Sequence, residues 1–408
     1  MSDRARQAIE ECRTIAQMTE EPGRTTRRFL TPPICQVHQH LRERMESLGM
    51  SVHVDAVGNL RGLWKPDHNA SSRRLVLGSH IDTVPDAGAF DGVLGVVLAL
   101  DLVKSATRLN LPLALEIVAF SEEEGVRFGF PFIGSRAVAG RFDPSMLAHM
   151  DANGISIRQA IESFGLDPGR IEEAAADEHT VGFLEIHIEQ GPVLEAEGLN
   201  VAAVTSIVGQ TRLDLKFIGH ANHAGTTPMH LRRDALAAAA EWTTKVESLA
   251  LRTESLVATV GRLDVRPNAG NVIAGCAELS LDVRHVHDSQ RRTAVDELLA
   301  QAEATATRRG LKLEWTRKMD EPSVPMDERL TAFMTTAIEA AGFPAKTMPS
   351  GAGHDAMIMA GRMPAAMLFL RSPGGLSHHP DEAVREEDVE AALQVGERFL
   401  QRLAGEVG

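Results

Sequence analysis

The sequence predicts an α/β protein interrupted by a small α+β domain, and three observations carry that prediction. Arg74 to Ser79 (RLVLGS) and Leu113 to Phe120 (LALEIVAF) are continuous apolar runs with polar flanks, the pattern of strands buried on both faces of a parallel sheet. Gly92 to Ser105, between them, has the length and spacing of a crossover helix. From Thr211 to Thr316 the order becomes strand, helix, strand, strand, helix, strand, as in a ferredoxin-like sandwich.

Taken in order, residues 3 to 18 and 36 to 48 repeat apolar side chains at helical spacing, and Ser51 to Val54 with Asn59 to Trp64 read as short strands about a turn at Gly58. After the strand–helix–strand unit, Phe183 to Glu195 (FLEIHIEQGPVLE) alternates as a strand that ends at Gln190 and Gly191. The inserted segment runs through strand RLDLKFIG from Arg212, helix Arg232 to Leu251, strands LVATVGRLDV from Leu256 and AELSLDVRHV from Ala277, helix Ser289 to Arg309, and strand LKLEWT from Leu311. Beyond Pro322 the α/β style resumes with a helix at Asp327 to Ala341, the strand Ala365 to Leu370 (AAMLFL) and a closing helix from Glu386 to Leu403. The simplest division is one discontinuous domain, 1–205 with 323–408, and an insertion at 206–322.

Composition bounds the function. With 408 residues, 43% hydrophobic and 24% charged, the chain is an ordinary globular sequence long enough for a sizeable core, which excludes disordered and fibrous classes. No apolar run reaches the ~18 residues of a membrane span. The longest, around Val93 to Leu100 and Pro364 to Leu370, stop at Asp101 and Arg371. The start MSDRARQAIEECR lacks an apolar signal region, so the expectation is a soluble cytoplasmic protein with no membrane partner. Cys12, Cys35 and Cys276 are too few and too scattered for a disulfide framework or a cysteine metal knuckle. A net charge of −14 with 4% aromatic residues argues against nucleic acid.

Four polar clusters sit at strand ends. GSHIDTVPDAGAFDG puts His80 and Asp82 just after an apolar strand and Asp91 at the mouth of the next helix, where ligands of open α/β sheets collect. These residues are either metal ligands with an orienting carboxylate or turn carboxylates at a helix start. FSEEEGVRF places Glu122, Glu123 and Glu124 side by side after the next strand; adjacent carboxylates repel unless cations offset them or water solvates the turn. His187 alternates with Glu185 and Glu189 on its strand, and GGLSHHPDE sets His378 and His379 after the last apolar strand. Either of the last two can ligate. Each cluster alone has a structural explanation, but together they supply the mixed imidazole and carboxylate set that two hydrolytic divalent ions about 3.5–4 Å apart require.

These segments, with HIEQGPVLE, GHANHAGTTPMHLRRDAL, RPNAGNVIAG, LDVRH and SGAGHDAM, resemble the amidohydrolase branch of the M20 metallopeptidase family, namely N-carbamoyl-L-amino acid hydrolases, β-ureidopropionases and allantoate amidohydrolases. The resemblance spans nearly the whole chain. It implies an aminopeptidase-like catalytic domain holding two divalent ions (Zn or Mn, with Co or Ni possible) and a lid domain that makes a homodimer. His80, Asp91 and His187 would hold one ion; Asp91, Glu124 and His378 the other. Asp82 would orient His80. Glu123 would take the proton of the attacking water and return it to the leaving nitrogen of a ureido acid. His223, in ANHAG, would stabilise the oxyanion across the dimer. Arg284 and Asn271 would bind the substrate carboxylate, with Gln190 and the backbone at Gly353 as further contacts.

Gln210 and Arg212 in VTSIVGQTRL, and Gly353 before His354, look more like allantoate amidohydrolases than like L-carbamoylases. A substrate with two ureido groups needs extra amide partners such as Gln210, whereas a carbamoylated apolar amino acid needs an apolar wall. A peptidase or deacylase of the same superfamily would share the metal ligands but not the HIEQGP, ANHAGTTPM and Asn271/Arg284 motifs. A non-catalytic homologue would have lost a ligand or the base, and none is missing.

Overall fold

A computed structural model describes residues 3–66 and 73–407. They form two compact units, one of the chain up to Thr205 together with Pro325 onward, the other Ser206–Val324. The first unit opens with helices α1 (Asp3–Ala16) and α2 (Pro32–Ser47) and the hairpin of β1 (Ser51–Val54) and β2 (Leu60–Trp64). Then come β3 (Arg74–His80), α3 (Val93–Leu109) and β4 (Ala114–Phe120). Short helices α4 (Ile133–Val138) and α5 (Ile157–Ser163) lead to β5 (Thr180–Ile188), α6 (Val193–Glu197) and β6 (Val201–Ile207). The second unit holds β7 (Gly209–Ile218), α7 (Ala235–Arg252), β8 (Val257–Arg266), β9 (Cys276–His285), α8 (Asp288–Arg309) and β10 (Lys312–Glu321). The chain returns through β11 (Val324–Pro325), α9 (Glu328–Ala340), β12 (Thr347–Ser350), α10 (Asp355–Met359), β13 (Ala365–Leu370) and α11 (Glu386–Val407).

The larger sheet has the order β1-β2-β4-β3-β5-β13-β6-β11, with β12 beside β6. Its centre is parallel: β4 with β3, β3 with β5, and β5 with β13. Every residue of β4 and β13 is buried, as their unbroken apolar sequences require when helices cover both faces. Helix α3 is buried nearly all round, packing on β3, β4 and β5 on one side and on α1 and α11 on the other, which explains why VLGVVLAL shows no polar face. It ends at Asn110, whose left-handed backbone (φ 51°) closes the last turn. Helix α2 begins earlier than its apolar spacing predicts, because Pro32 and Pro33 occupy first-turn positions where a missing N–H costs nothing.

In the second unit the sheet order is β10-β7-β9-β8 with every neighbouring pair antiparallel, the ferredoxin-like arrangement. Leu213, Leu215 and Phe217 of β7 and Leu279, Leu281 and Val283 of β9 point to one face, against Trp242, Val246, Val295 and Leu298 of α7 and α8. The Trp242 indole N–H donates to the Leu298 carbonyl, so the largest side chain of this core leaves no polar atom unpaired. Among the described residues no helix is long and apolar enough to cross a membrane, and the three cysteines are free.

Candidate metal centre

Because β3, β4, β5 and β13 run the same way, their carboxyl ends share one edge of the larger sheet. His80 is the last residue of β3, Glu122 to Glu124 follow β4, His187 is the penultimate residue of β5, and His378 follows β13 after a turn at Pro373–Gly375. Asp91 comes in from the loop before α3. The ligand atoms of His80, Asp91 and His187 lie within 4.8 Å of one another, as do those of Asp91, Glu124 and His378 and those of His80, Glu123 and Glu124. The first two groups share Asp91, whose Oδ1 is 3.3 Å from His187 Nε2 and whose Oδ2 is 3.2 Å from His378 Nε2. His378 Nε2 is also 3.3 Å from Glu124 Oε1.

The imidazoles are aimed by their second nitrogens. His187 Nδ1 is 2.9 Å from the Ile188 carbonyl, so as an N–H donor it leaves Nε2 with a free lone pair; that Nε2 is buried with no hydrogen-bond partner. His80 Nδ1 contacts the backbone carbonyl of Asp82 at 3.0 Å and its carboxylate only at 3.5 Å. The Asp82 carboxylate instead accepts the backbone N–H groups of Glu123 at 3.0 Å and Glu124 at 3.1 Å, fixing the turn that carries both glutamates. His378 sits in the left-handed region (φ 56°), as does Gln190 (φ 57°).

Charge in the cluster is arranged for cations. Burial pushes the Glu124 carboxyl up to about 8 and lifts Glu123 well above the usual carboxylate range. Burial also works against ionised Asp91, but the imidazoles of His378, His187 and His80 outweigh it and hold Asp91 well below its ordinary value. The hydrogen bond to Asp91 lifts His378 to about 9, whereas burial brings His187 down to about 4, leaving it neutral as a ligand must be. Glu123, Glu124 and the more exposed His378 thus hold protons in places that divalent ions would take, and the orphaned His187 Nε2 fits that use.

Other residues are legible only in three dimensions. Gly92 has φ +65°, and a Cβ there would stand 2.5 Å from three ring atoms of His80. Gln190, expected as a substrate contact, donates its amide to Asp91 Oδ1 at 3.0 Å, while its Oε1 is buried and unpartnered. Glu185 is fully buried and accepts from Ser79 Oγ and the Ala356 N–H, both at 2.9 Å. His354 packs edge-on against His187 at 4.5 Å. The alternation of Glu185 with His187 is visible in the sequence; the tie between Gly92 and His80 is not. Gly353 approaches the Phe132 ring, where a Cβ would lie 3.1 Å from it.

The remaining expected residues belong to the second unit. Gln210 and Arg284 are directly opposite on β7 and β9, and Gln210 Oε1 is buried without a partner. Arg284 donates to both oxygens of Asp282, at 2.8 and 3.0 Å, and Arg212 donates to one of them at 2.9 Å. The loops carrying His223 and Asn271 are joined: His223 bridges to Val272, and the Ala224 N–H donates to the Asn271 carbonyl at 2.9 Å. Both His223 and Asn271 are exposed, and His223 Nδ1 accepts the Gly225 N–H at 3.1 Å.

Known proteins resemble the chain over nearly its whole length. The profile of peptidase family M20/M25/M40 matches residues 76–402. The chain is 38% identical to an N-carbamoyl-L-amino acid amidohydrolase of Geobacillus stearothermophilus, over 96% of each protein. It is 36% identical to an allantoate deiminase of Arabidopsis thaliana, over 97% of this chain and 82% of that one. The crystal structure of a hydantoinase/carbamoylase family amidase from Burkholderia ambifaria matches with a TM-score of 0.91 at 31% identity, covering 98% of both chains.

Proposed function

The chain belongs to peptidase family M20/M25/M40, as an amidohydrolase of the hydantoinase/carbamoylase branch acting on carbon–nitrogen bonds other than peptide bonds, and on that premise we propose that it cleaves the ureido group of a small ureido acid, namely allantoate. The observation that carries the reading is the meeting of two imidazole–carboxylate groups on one shared residue, Asp91. His80, Asp91 and His187 would hold one divalent ion, and Asp91, Glu124 and His378 a second. Such ions, when bound, polarise a carbonyl and lower the pKa of water.

The chain's own groups do the rest. Glu123 takes the proton of the attacking water and delivers it to the leaving nitrogen, so that the ureido group and one water become an amine, carbon dioxide and ammonia. Asp82 holds Glu123 and Glu124 in register through their amides. Arg284 takes the substrate carboxylate, while Asn271 and His223, on joined loops at the opposite end of β9, meet the substrate across a homodimer joined through the Ser206–Val324 unit, His223 facing the developing oxyanion. Gln190 and the backbone at Gly353 serve as further substrate contacts. Gln210, with its unpartnered Oε1, suits an N–H of the second ureido group of allantoate. The alternative, an N-carbamoyl-L-amino acid, is favoured by the 38% identity to the Geobacillus protein.

Ammonia release measured with allantoate and with N-carbamoyl-L-methionine, on metal-stripped protein reloaded with Mn, Zn or Co, separates the two. Preference for allantoate is expected; a large preference for the carbamoylated amino acid overturns the choice of substrate, and no release from either overturns the reaction. Glu123→Gln is expected to take up metal like the wild type while ammonia release falls by roughly 10²–10⁴-fold. Unchanged hydrolysis would remove Glu123 from the mechanism.

A further inference from the structure

Behind Asp91, the carboxyl group of Glu382 links loops that are far apart in sequence. Glu382 lies in the turn after His378, is 6% exposed, and has no basic partner among the described residues. Its Oε1 accepts the backbone N–H groups of both Phe90 and Asp91, each at 3.0 Å. Its Oε2 accepts the Ser377 hydroxyl at 3.1 Å. Ser377 Oγ accepts the Gln190 amide at 3.1 Å, and that same amide donates to Asp91 Oδ1 at 3.0 Å. The hydrogen bonds therefore close a ring, from the Asp91 N–H through Glu382, Ser377 and Gln190 back to the Asp91 side chain. The ring joins the loop before α3, the end of β5 and the turn after β13.

Room for this arrangement is made by Gly88. A Cβ at that position would stand 2.4 Å from Glu382 Cβ and 2.6 Å from its Oε1, so any side chain there expels the carboxylate. A buried carboxylate with no paired cation is costly unless its hydrogen bonds are complete, and Glu382 spends both oxygens on the ring.

We propose that Glu382 is a positioning residue for Asp91. It fixes the backbone of the one carboxylate common to both imidazole–carboxylate groups and, through Ser377 and Gln190, the direction of its oxygens, so that divalent-ion affinity depends on it. The inference rests on the metal reading above. Partners of metal ligands are known to matter at this level, with losses of roughly 10–100-fold in affinity when they are removed.

The test is a Co²⁺ titration of metal-stripped protein, reading both the dissociation constants and the visible absorption bands, which report ligand geometry independently of turnover. In Glu382→Ala at least one Co²⁺ is expected to bind about 10–100-fold more weakly, with altered bands. Glu382→Gln, which keeps an oxygen for the two N–H groups, should restore most of the loss. Gly88→Ala, which leaves Glu382 in the sequence but fills its space, should shift affinity in the same direction. Wild-type affinity and bands in both Glu382→Ala and Gly88→Ala overturn the proposal; if Glu382→Ala does not fold, Gly88→Ala and Ser377→Ala decide by the same criterion. A wild type that takes up no Co²⁺ sinks the metal reading and this inference with it, whereas Glu382→Ala and Gly88→Ala that both bind as well as a binding wild type sink the inference alone.

Discussion

His80 rests on a residue that must have no side chain. Gly92 combines a left-handed backbone with close approach to the imidazole, whereas Gly129 has nearly the same φ, +66°, with nothing within 4 Å. The pair separates strain from displacement. Gly129→Ala should cost only the left-handed penalty, about 1–2 kcal/mol. Gly92→Ala should add movement of His80, and calorimetric titration with Zn²⁺ is expected to show affinity at least about tenfold weaker for Gly92→Ala and unchanged for Gly129→Ala. Equal Zn²⁺ affinity in the two variants would refute the role given to Gly92. At this scale the residue types of the site were legible, because each strand end carries its own short motif. Their mutual supports were not: Gln190 and Asp91 are separated by 99 positions, and no local pattern encodes a contact over that interval. Asp82, expected to orient His80, illustrates the same limit: its carbonyl stands 3.0 Å from His80 Nδ1, and its carboxylate also holds the amides of Glu123 and Glu124, a second task that no local pattern announces.

Helix α3 is the element that sets the floor of the site, since its first residue follows Gly92 and its flank touches β5. A Cβ at Gly95 would lie 2.3 Å from the Ile186 carbonyl and 2.9 Å from Ser79 Cβ, so glycine is what lets the helix axis come this close. Gly95→Ala must push α3 off the strand next to His187, an overpacking cost of about 1–3 kcal/mol that urea unfolding should detect as a lower midpoint at unchanged slope. An unchanged midpoint would mean that the helix can shift freely. Strands β3, β4 and β13 were readable because burial on both faces writes an unbroken apolar run, and the second unit because its strands alternate on one face. Strands β6, β11 and β12 were not read: the partners of β6 and β11 lie on the far side of the insertion, so their pairing has no local signature.

Over the whole molecule, a net charge of −14 includes a concentration of buried acids at one sheet edge. Cation-free protein holds Glu124 at about 8 against an ordinary 4.5, and His378 at about 9 against 6.5. The folded state therefore binds more protons than the unfolded state between pH 7 and 9, and its stability falls as pH rises through that window. His187, brought down to about 4, acts in the opposite sense, but only the tail of its unfolded-state titration from an ordinary 6.5 reaches past pH 7, less than Glu124 and His378 contribute. Chelator-treated protein should thus lose thermal stability from pH 7 to pH 9, and added Mn²⁺ or Zn²⁺ should raise Tm by more at pH 9 than at pH 7. A stripped protein that becomes more stable over this range, or a metal-induced rise that shrinks with pH, would contradict the charge arrangement. The division into two units was legible from the change of strand–helix order alone, because each unit satisfies its own core.

Strand β13 lies between β5 and β6 although more than 150 residues separate it from either in the chain. On a ribosome, β5 emerges with one edge unpaired beside the slot that β13 will take, while β6, whose neighbours β13, β11 and β12 all come later, has no strand to pair with. The slot is filled only when Ala365–Leu370 leaves the exit tunnel, after the whole Ser206–Val324 unit has been made. His378 follows immediately, so an interrupted nascent chain would expose sticky edges without ever having assembled a cation-binding pocket.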